Sequence, residues 1–167
     1  MIFSRAPLRI SIGGGGTDLP SYYNKRSGYV ISAAINKYIY ISIGQTFNRK
    51  FILKYSKLEE VNNISKIKHP LFRETLKELK IKSPVNISSH ADIPSGSGLG
   101  SSGCFTVALV KALSEIKKLK LSKNKLAEIA SKIEIKKLKE PVGKQDQYSS
   151  AFGGLRSYKF LKNGEVI

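Results

Sequence analysis

Residues 92–103 read Asp-Ile-Pro-Ser-Gly-Ser-Gly-Leu-Gly-Ser-Ser-Gly, and the chain continues as Cys-Phe-Thr-Val-Ala-Leu-Val-Lys-Ala-Leu-Ser-Glu-Ile. The second part has apolar residues at helical spacing, so the segment predicts a glycine-rich loop that opens an amphipathic helix. Glycine lets the backbone approach a ligand closely, and the first N–H groups of a helix have no partner within it. The segment therefore predicts an anion site, although a tight turn with a serine N-cap gives a similar pattern.

This loop is not one of the common phosphate-binding motifs. A Walker loop ends in Gly-Lys-Ser/Thr, and the dinucleotide fingerprint needs a third glycine where Ser101 stands. Both of those nucleotide-binding folds are therefore disfavoured.

The rest of the chain alternates between strand and helix patterns around this loop. Alternating or β-branched stretches predict strands at residues 2–12, 29–35, 38–43, 51–55, 84–89 and 155–160, of which the second to fourth form a meander. Helices are expected at 69–81, from Ser122 and at 145–151, with a turn or short helix at 18–25. We therefore predict one two-layer α+β domain over residues 1–167, with His69 in solvent at a helix start.

The composition is strongly basic, with 29 Lys and Arg against 12 Asp and Glu and a formal net charge of +17. A field of that sign attracts nucleic acid, anionic membrane or phosphorylated metabolites. The lysines occupy helix-surface positions, largely without interleaved aromatic residues or a nucleic-acid-binding motif. We interpret them as a solvated basic face and expect no nucleic-acid partner.

Other classes are disfavoured by what the sequence lacks. No apolar run approaches the roughly 18 residues that span a membrane, and the first residues are too polar for a secretion signal. We therefore expect a soluble cytoplasmic protein with no membrane partner. Cys104 is the only cysteine and is predicted to be a core residue, and no Cys/His cluster has metal-ligand spacing.

Residues 94–103 resemble the ATP-binding signature of the GHMP kinase superfamily, which includes galactokinase, homoserine kinase, mevalonate kinase and phosphomevalonate kinase. Two further segments match this superfamily in the right order, at residues 5–23 and 140–148. The four-glycine loop followed by Thr-Asp-Leu-Pro-Ser-Tyr-Tyr, and the Gly-Lys-Gln-Asp-Gln of residues 143–147, are similar to the heptose 7-phosphate kinases and related sugar kinases.

The resemblance implies the N-terminal ATP- and sugar-binding domain of such a kinase, with a mixed, mainly antiparallel sheet packed on helices. We expect the usual C-terminal half to be absent from this chain, which predicts exposed apolar surface, with that half or a second copy as partner. The implied reaction is ATP-dependent phosphorylation of the anomeric hydroxyl of the sugar phosphate D-glycero-D-manno-heptose 7-phosphate, giving the 1,7-bisphosphate. Two alternatives stay open: a kinase for fucose or galactose, and a non-catalytic basic binding domain able to hold RNA.

The resemblance also implies roles for individual residues. Asp146 is expected to be the catalytic base, with Arg9 beside it, and Ser101 with Glu134 would hold Mg²⁺, Ser102 being the less favoured alternative. Sugar binding is implied for Gly15, Gly16, Thr17 and Asp18. ATP binding is implied for Pro94, Gly96, Ser97, Gly98, Leu99, Gly100, Ser101 and Ser102.

For the three carboxylates, an ordinary structural role stays open. Glu134 could be a solvent-exposed ion-pair partner on a lysine-rich helix, and Asp18 or Asp146 could be a helix cap. A phosphorylated sugar would also need a cationic anchor, and the sequence does not choose among Arg5, Lys25, Arg26, Lys144 and Arg156.

Overall fold

The computed structural model describes residues 1–167 as one sheet with helices packed on it. The strands are β1 Ile2–Gly13, β2 Gly28–Gln45, β3 Phe51–Lys54, β4 Leu58–Val61, β5 Val85–Ala91 and β6 Leu155–Phe160. The helices are α1 Pro20–Tyr23, α2 Pro70–Glu78, α3 Ser101–Ile116, α4 Lys123–Ser131 and α5 Gln145–Phe152, with a 3₁₀ turn at Ile64–Lys66 and a π-helical turn at Lys132–Lys137.

The sheet has six strands in the order β1-β2-β5-β3-β4, and β6 also pairs with β2. Every pairing is antiparallel except that of β3 with β5. The first part of β2 pairs with β6, and its last part pairs with β5. This arrangement confirms the predicted two-layer α+β fold with a mixed, mainly antiparallel sheet.

Helices α3 and α5 pack on one face of β1 and β2. Buried side chains of α3 and the strands, with others from α2 and α4, form the main core, in which Leu8, Ile41, Ile87 and Leu109 are almost fully buried. Cys104 lies in this core as predicted, its Sγ donates to the carbonyl of Ala6 at 3.0 Å, and burial raises its pKa to about 12. No helix has the length and apolar content to span a membrane.

The other face of this part of the sheet is open. Ile10, Ile31 and Leu155 project from β1, β2 and β6 on that face and are 47%, 40% and 70% exposed. Ala33 lies between Ile10 and Leu155 in the register. The structure thus contains exposed apolar surface of the kind that the sequence predicted.

The predicted meander was wrong, because its first two strands are one strand, β2, and its third, β3, pairs with β4 and β5 and not with β2. The expected break near Asn36 is a bulge inside one 18-residue strand, because Pro7 pairs with Tyr38 whereas Arg9 pairs with Ala34. Four steps along β2 therefore oppose two along β1, which bends the strand without ending it. The short strand β4, which forms a hairpin with β3, was missed because Leu-Glu-Glu-Val carries little β propensity.

His69 is the N-cap residue of α2, as its predicted place at a helix start requires, but the prediction that it is solvated was wrong. Its ring lies 4.8 Å from that of Tyr55, 4.9 Å from that of Phe72 and 5.4 Å from that of Phe105. Its Nδ1 is buried without a hydrogen-bond partner. Burial lowers the pKa of His69 and outweighs the opposing attraction of Glu59.

We predict that His69 makes folding stability depend on pH. Because its folded-state pKa lies below the ordinary value of 6.5, the unfolded chain binds the proton first as the pH falls. Its contribution to the free energy of unfolding should be present above pH 6.5 and decline as the pH falls through the folded-state pKa. Urea unfolding between about pH 5.5 and 7.5 should show a smaller loss for His69→Phe than for the wild type. Equal losses in the two proteins would contradict this assignment.

Candidate active site

The glycine-rich loop presents unused backbone donors. Gly96, Gly98 and Gly100 have φ of 81°, 75° and 74°, a region that side-chain-bearing residues rarely adopt, while the residues between them do not. Such alternation turns successive N–H groups toward one side of the loop. The N–H groups of residues 96–103 have no acceptor in the chain, and the first bond at this helix start runs from Cys104 N to Gly100 O. The loop and the start of α3 therefore offer free backbone donors that could hold an anion such as a phosphate group.

Arg9 of β1 joins this loop to Asp146 in the first turn of α5. Its Nε donates to Asp146 Oδ1 at 2.8 Å, and its Nη2 lies 2.5 Å from the same oxygen. Its Nη1 donates to the carbonyl of Gly98 at 2.8 Å, and its backbone N–H donates to Leu99 O at 3.1 Å. One guanidinium thus fixes both the loop and a carboxylate that is still 26% exposed.

The backbone of α3 and the first turn of α5 approach each other closely at Asp146. A Cβ at Gly103 would lie 2.6 Å from the Cβ of Asp146, and one at Gly100 would lie 3.0 Å from its Cγ. Any side chain at Gly103 would push α5 away from the loop. Both glycines of the motif therefore set the distance between the anion site and the Asp146 carboxylate.

Glu134 lies in the π-helical turn that follows α4 and contacts the start of α3 through Ser102. It is fully buried, accepts from Ser102 Oγ at 2.5 Å and accepts from Gln147 Nε2 at 2.9 Å. Burial raises the pKa of Glu134, while these hydrogen bonds oppose the shift. The structure therefore excludes a solvent-exposed ion-pair role for Glu134, because its partners are two uncharged side chains.

Glu134 and Ser102 are the residues that could hold a divalent metal. The family resemblance implied Ser101 for this role, with Ser102 as the alternative; in the structure Ser102 Oγ bonds Glu134, and Ser101 makes no side-chain hydrogen bond. Their oxygen donors suit Mg²⁺, which usually keeps waters and takes few protein ligands. No group of three or more His, Cys, Asp or Glu side chains is placed to hold a metal, so the remaining ligands would have to come from water and phosphate oxygens.

Gln147 is a site residue that the sequence analysis missed. It is 1% exposed, and its Oε1 is buried without a partner while its Nε2 bonds Glu134. It follows Asp146 directly, so one turn of α5 presents Asp146 to Arg9 and Gln147 to Glu134. Its place in the Gln-Asp-Gln motif was visible, but a buried glutamine cannot be recognised from sequence when its carboxylate partner is 13 residues away.

The four-glycine loop lies beside the same end of α5. Asp18 is only 5% exposed and accepts from the N–H groups of Gly16 at 3.0 Å and Gln145 at 2.9 Å. Thr17 Oγ1 accepts from Tyr29 N at 2.9 Å and donates to Gly14 O at 2.7 Å. Sugar binding by Gly15, Gly16, Thr17 and Asp18 stays a prediction, and the side chains of Thr17 and Asp18 have structural partners here.

The candidate anchors for a substrate phosphate differ in how many contacts their cationic side chains make within the protein. Lys144 Nζ donates to Glu128 Oε1 at 2.8 Å and to Gly164 O at 2.6 Å, and the residue is 8% exposed. Arg156 donates to Gly153 O, and Arg5 stacks over the ring of Tyr38. Lys25 and Arg26, which follow α1, make no side-chain hydrogen bond or ion pair. These two are thus the cations least committed to structure among the five.

Comparison with known proteins places this geometry in a family. The family model "GHMP kinases N terminal domain" matches residues 62–154. D-glycero-alpha-D-manno-heptose 7-phosphate kinase of Campylobacter jejuni is 34% identical over an aligned length of 179. The alignment covers 99% of this chain and 52% of that protein. Galactokinase of Thermotoga petrophila is 33% identical over 156 residues, which cover 89% of this chain and 43% of that protein.

Solved structures agree with the sequence matches. A D-glycero-D-manno-heptose 1-phosphate kinase from Bacteroides thetaiotaomicron superposes with a TM-score of 0.91 at 30% identity, over 100% of this chain and 58% of that one. A sugar kinase described as putative from Campylobacter jejuni superposes with a TM-score of 0.79 at 32% identity, over 99% of this chain and 54% of that one. The chain thus spans about half the length of the relatives it matches. Because the family model covers more than half of the chain, the chain belongs to the GHMP kinases, in the part that forms their N-terminal domain.

Proposed function

We propose that the protein that contains this chain is an ATP-dependent sugar kinase, a phosphotransferase with an alcohol group as acceptor. The observation that carries this proposal is the convergence on Arg9: a loop with unused N–H donors on one side and the Asp146 carboxylate on the other. Phosphoryl transfer needs a phosphate cradle next to an acceptor-side carboxylate, and this arrangement supplies both.

The loop would bind the polyphosphate of ATP. Backbone N–H groups from Gly96 to Ser102 have no acceptor in the chain and belong to an exposed loop at a helix start, where the helix dipole also favours negative charge. Such fixed donors need no rearrangement as charge develops on the transferred phosphoryl group. ATP binding at residues 94–102 is therefore the role that fits the loop best.

Asp146 would accept the proton of the attacking sugar hydroxyl. Its Oδ1 is held by Arg9, which leaves Oδ2 for the acceptor, and the side chain keeps contact with solvent. Arg9 also bonds the phosphate loop, so it fixes the distance between donor and acceptor and places positive charge where charge develops.

Ser102 and Glu134 would hold Mg²⁺ beside the loop, because they present two oxygen donors 2.5 Å apart at the helix start. When bound, the ion would neutralise charge on the phosphate oxygens. Gln147 would keep the Glu134 carboxylate in place by donating to its other oxygen.

For the acceptor we propose D-glycero-D-manno-heptose 7-phosphate, phosphorylated at its anomeric hydroxyl to the 1,7-bisphosphate. The support is the match to the kinase of that name over nearly the whole chain. Galactose or fucose is the second candidate, because galactokinases match 89% of the chain.

A substrate panel tests this choice in the protein expressed from its complete reading frame. The panel holds heptose 7-phosphate, heptose 1-phosphate, galactose and fucose, with products followed by ³¹P NMR. We expect the highest kcat/KM for heptose 7-phosphate and a product with two phosphorus resonances. A higher kcat/KM for galactose or fucose would contradict the proposed substrate, and no turnover of any sugar would contradict the kinase assignment.

We predict that Asp146→Asn lowers kcat by at least about 100-fold, the lower range for loss of a general base. The amide cannot accept the hydroxyl proton, but the loop that would bind ATP is unchanged. Nucleotide affinity measured by calorimetry should therefore change little. Glu74→Gln, a carboxylate-to-amide change on α2 beside Arg73 and Lys77, is the matched control and should keep the wild-type kcat. Wild-type turnover in Asp146→Asn would contradict the assigned role.

We predict that Glu134→Gln removes most of the Mg²⁺ dependence of nucleotide binding. The glutamine has the same shape and can still bond Ser102 and Gln147, so the fold should persist. Calorimetric titration should give similar affinities for the variant and the wild type in EDTA. In Mg²⁺ the variant should bind more weakly, while Glu74→Gln follows the wild type. An unchanged Mg²⁺ effect in Glu134→Gln would show that Glu134 is not a metal ligand.

A further inference from the structure

The first turn of α5 is held by a residue from a distant segment. The residue that precedes the helix, Lys144, provides no side-chain cap, because its ammonium group only donates and cannot accept from the N–H groups of the first turn. The N–H of Gln145 instead donates to Asp18 Oδ2 at 2.9 Å across 127 positions of sequence. Asp18 thus performs for α5 the capping that its own sequence lacks.

The same carboxylate also holds the four-glycine loop. Its Oδ1 accepts from Gly16 N at 3.0 Å, and the backbone carbonyl of Asp18 accepts from Lys144 N at 3.3 Å. With only 5% of the residue exposed, these bonds face little competition from water. Asp18 therefore ties two segments together, one oxygen to each.

The room for this carboxylate comes from a glycine of the second motif. A Cβ at Gly143 would lie 1.9 Å from Asp18 Oδ2 and 2.3 Å from its Cγ, which is too close for non-bonded atoms. Gly143 and Asp18 are therefore structural complements, although each belongs to a different segment of the family pattern.

We propose that Asp18 is a positioning residue that clamps the first turn of α5 to the four-glycine loop and so fixes Asp146. Gln145, whose N–H the clamp holds, directly precedes Asp146, so release of that bond loosens the turn that carries the carboxylate. The importance of the clamp for turnover depends on the proposed function, whereas the clamp itself does not. A residue that only bound sugar would affect sugar affinity and leave the free protein unchanged.

The clamp can be tested without substrate by hydrogen exchange of backbone amides followed by NMR. Asp18→Asn keeps the shape but has one acceptor oxygen, so it can serve only one of the two N–H groups. We expect exchange at Gly16 or Gln145 to quicken by about tenfold or more, as a buried donor loses its partner. Gly143→Ala, which displaces the carboxylate, should quicken the same amides. The double variant should be no worse than the more affected single variant.

Glu59→Gln is the matched control, because Glu59 also accepts two backbone N–H groups, from Lys68 at 2.7 Å and His69 at 3.0 Å. It should quicken exchange at those residues and leave Gln145 as in the wild type. Wild-type exchange at Gly16 and Gln145 in Asp18→Asn would overturn the clamp, as would additive effects in the double variant or an equal effect of Glu59→Gln on Gln145. If Gly143→Ala does not fold, Asp18→Asn and Glu59→Gln decide the question.

The positioning role is tested by kinetics in the protein expressed from its complete reading frame, at a temperature where both proteins are fully folded. Asp18→Asn should lower kcat by about tenfold or more while the KM for ATP stays within about threefold of the wild type. A change confined to the KM for the sugar, or an unchanged kcat despite faster amide exchange, would overturn it. If the wild-type protein phosphorylates no sugar, the proposed function fails, and the exchange measurements still decide whether the clamp exists.

Discussion

The site depends on the contact between the Arg9 guanidinium, the carbonyl of Gly98 and the Asp146 carboxylate. These groups come from β1, from the loop before α3 and from α5, which lie far apart in sequence. Two glycines allow the contact, because a Cβ at Gly103 or Gly100 would meet Asp146. The sheet, the helix layer and the loop conformation together serve to bring these three segments within hydrogen-bond distance.

Around this contact the protein buries polar side chains, although apolar side chains there would be less costly to stability. Glu134 is fully inside, with only uncharged partners, and Gln147 Oε1 is buried without any partner. Burial of a carboxylate away from a cation is unfavourable, and burial accordingly raises the pKa of Glu134. Such an arrangement costs stability, and it places oxygen donors beside the unused N–H groups of the loop. This loss of stability has a functional reason if the buried oxygen donors and the N–H groups of the loop act together on a polyphosphate and its metal.

The sequence was informative wherever the signal was local. The glycine alternation predicted the loop, and the apolar spacing after Gly103 predicted α3. The pairing of Arg9 with Asp146, 137 positions apart, was implied only by the resemblance to a known family. The sequence failed where the answer depended on distant partners. The bulge that keeps β2 continuous is opposite Pro7, the burial of His69 depends on Tyr55 and Phe105, and the hydrogen bond of Ser102 to Glu134 depends on the phase of α3. The capping of α5 by Asp18, 127 positions away, has no signature in the sequence of either segment.

The most direct test of the account is a titration of the isotope-labelled protein with a non-hydrolysable ATP analogue and Mg²⁺, followed by backbone and arginine side-chain NMR. The account predicts saturable shifts that are largest at the amides of residues 96–102, with a linked shift at Arg9 Nε, which bonds Asp146. Saturable binding whose largest shifts lie elsewhere, or no shift at these amides at millimolar nucleotide, would contradict the assignment of the loop as the phosphate site.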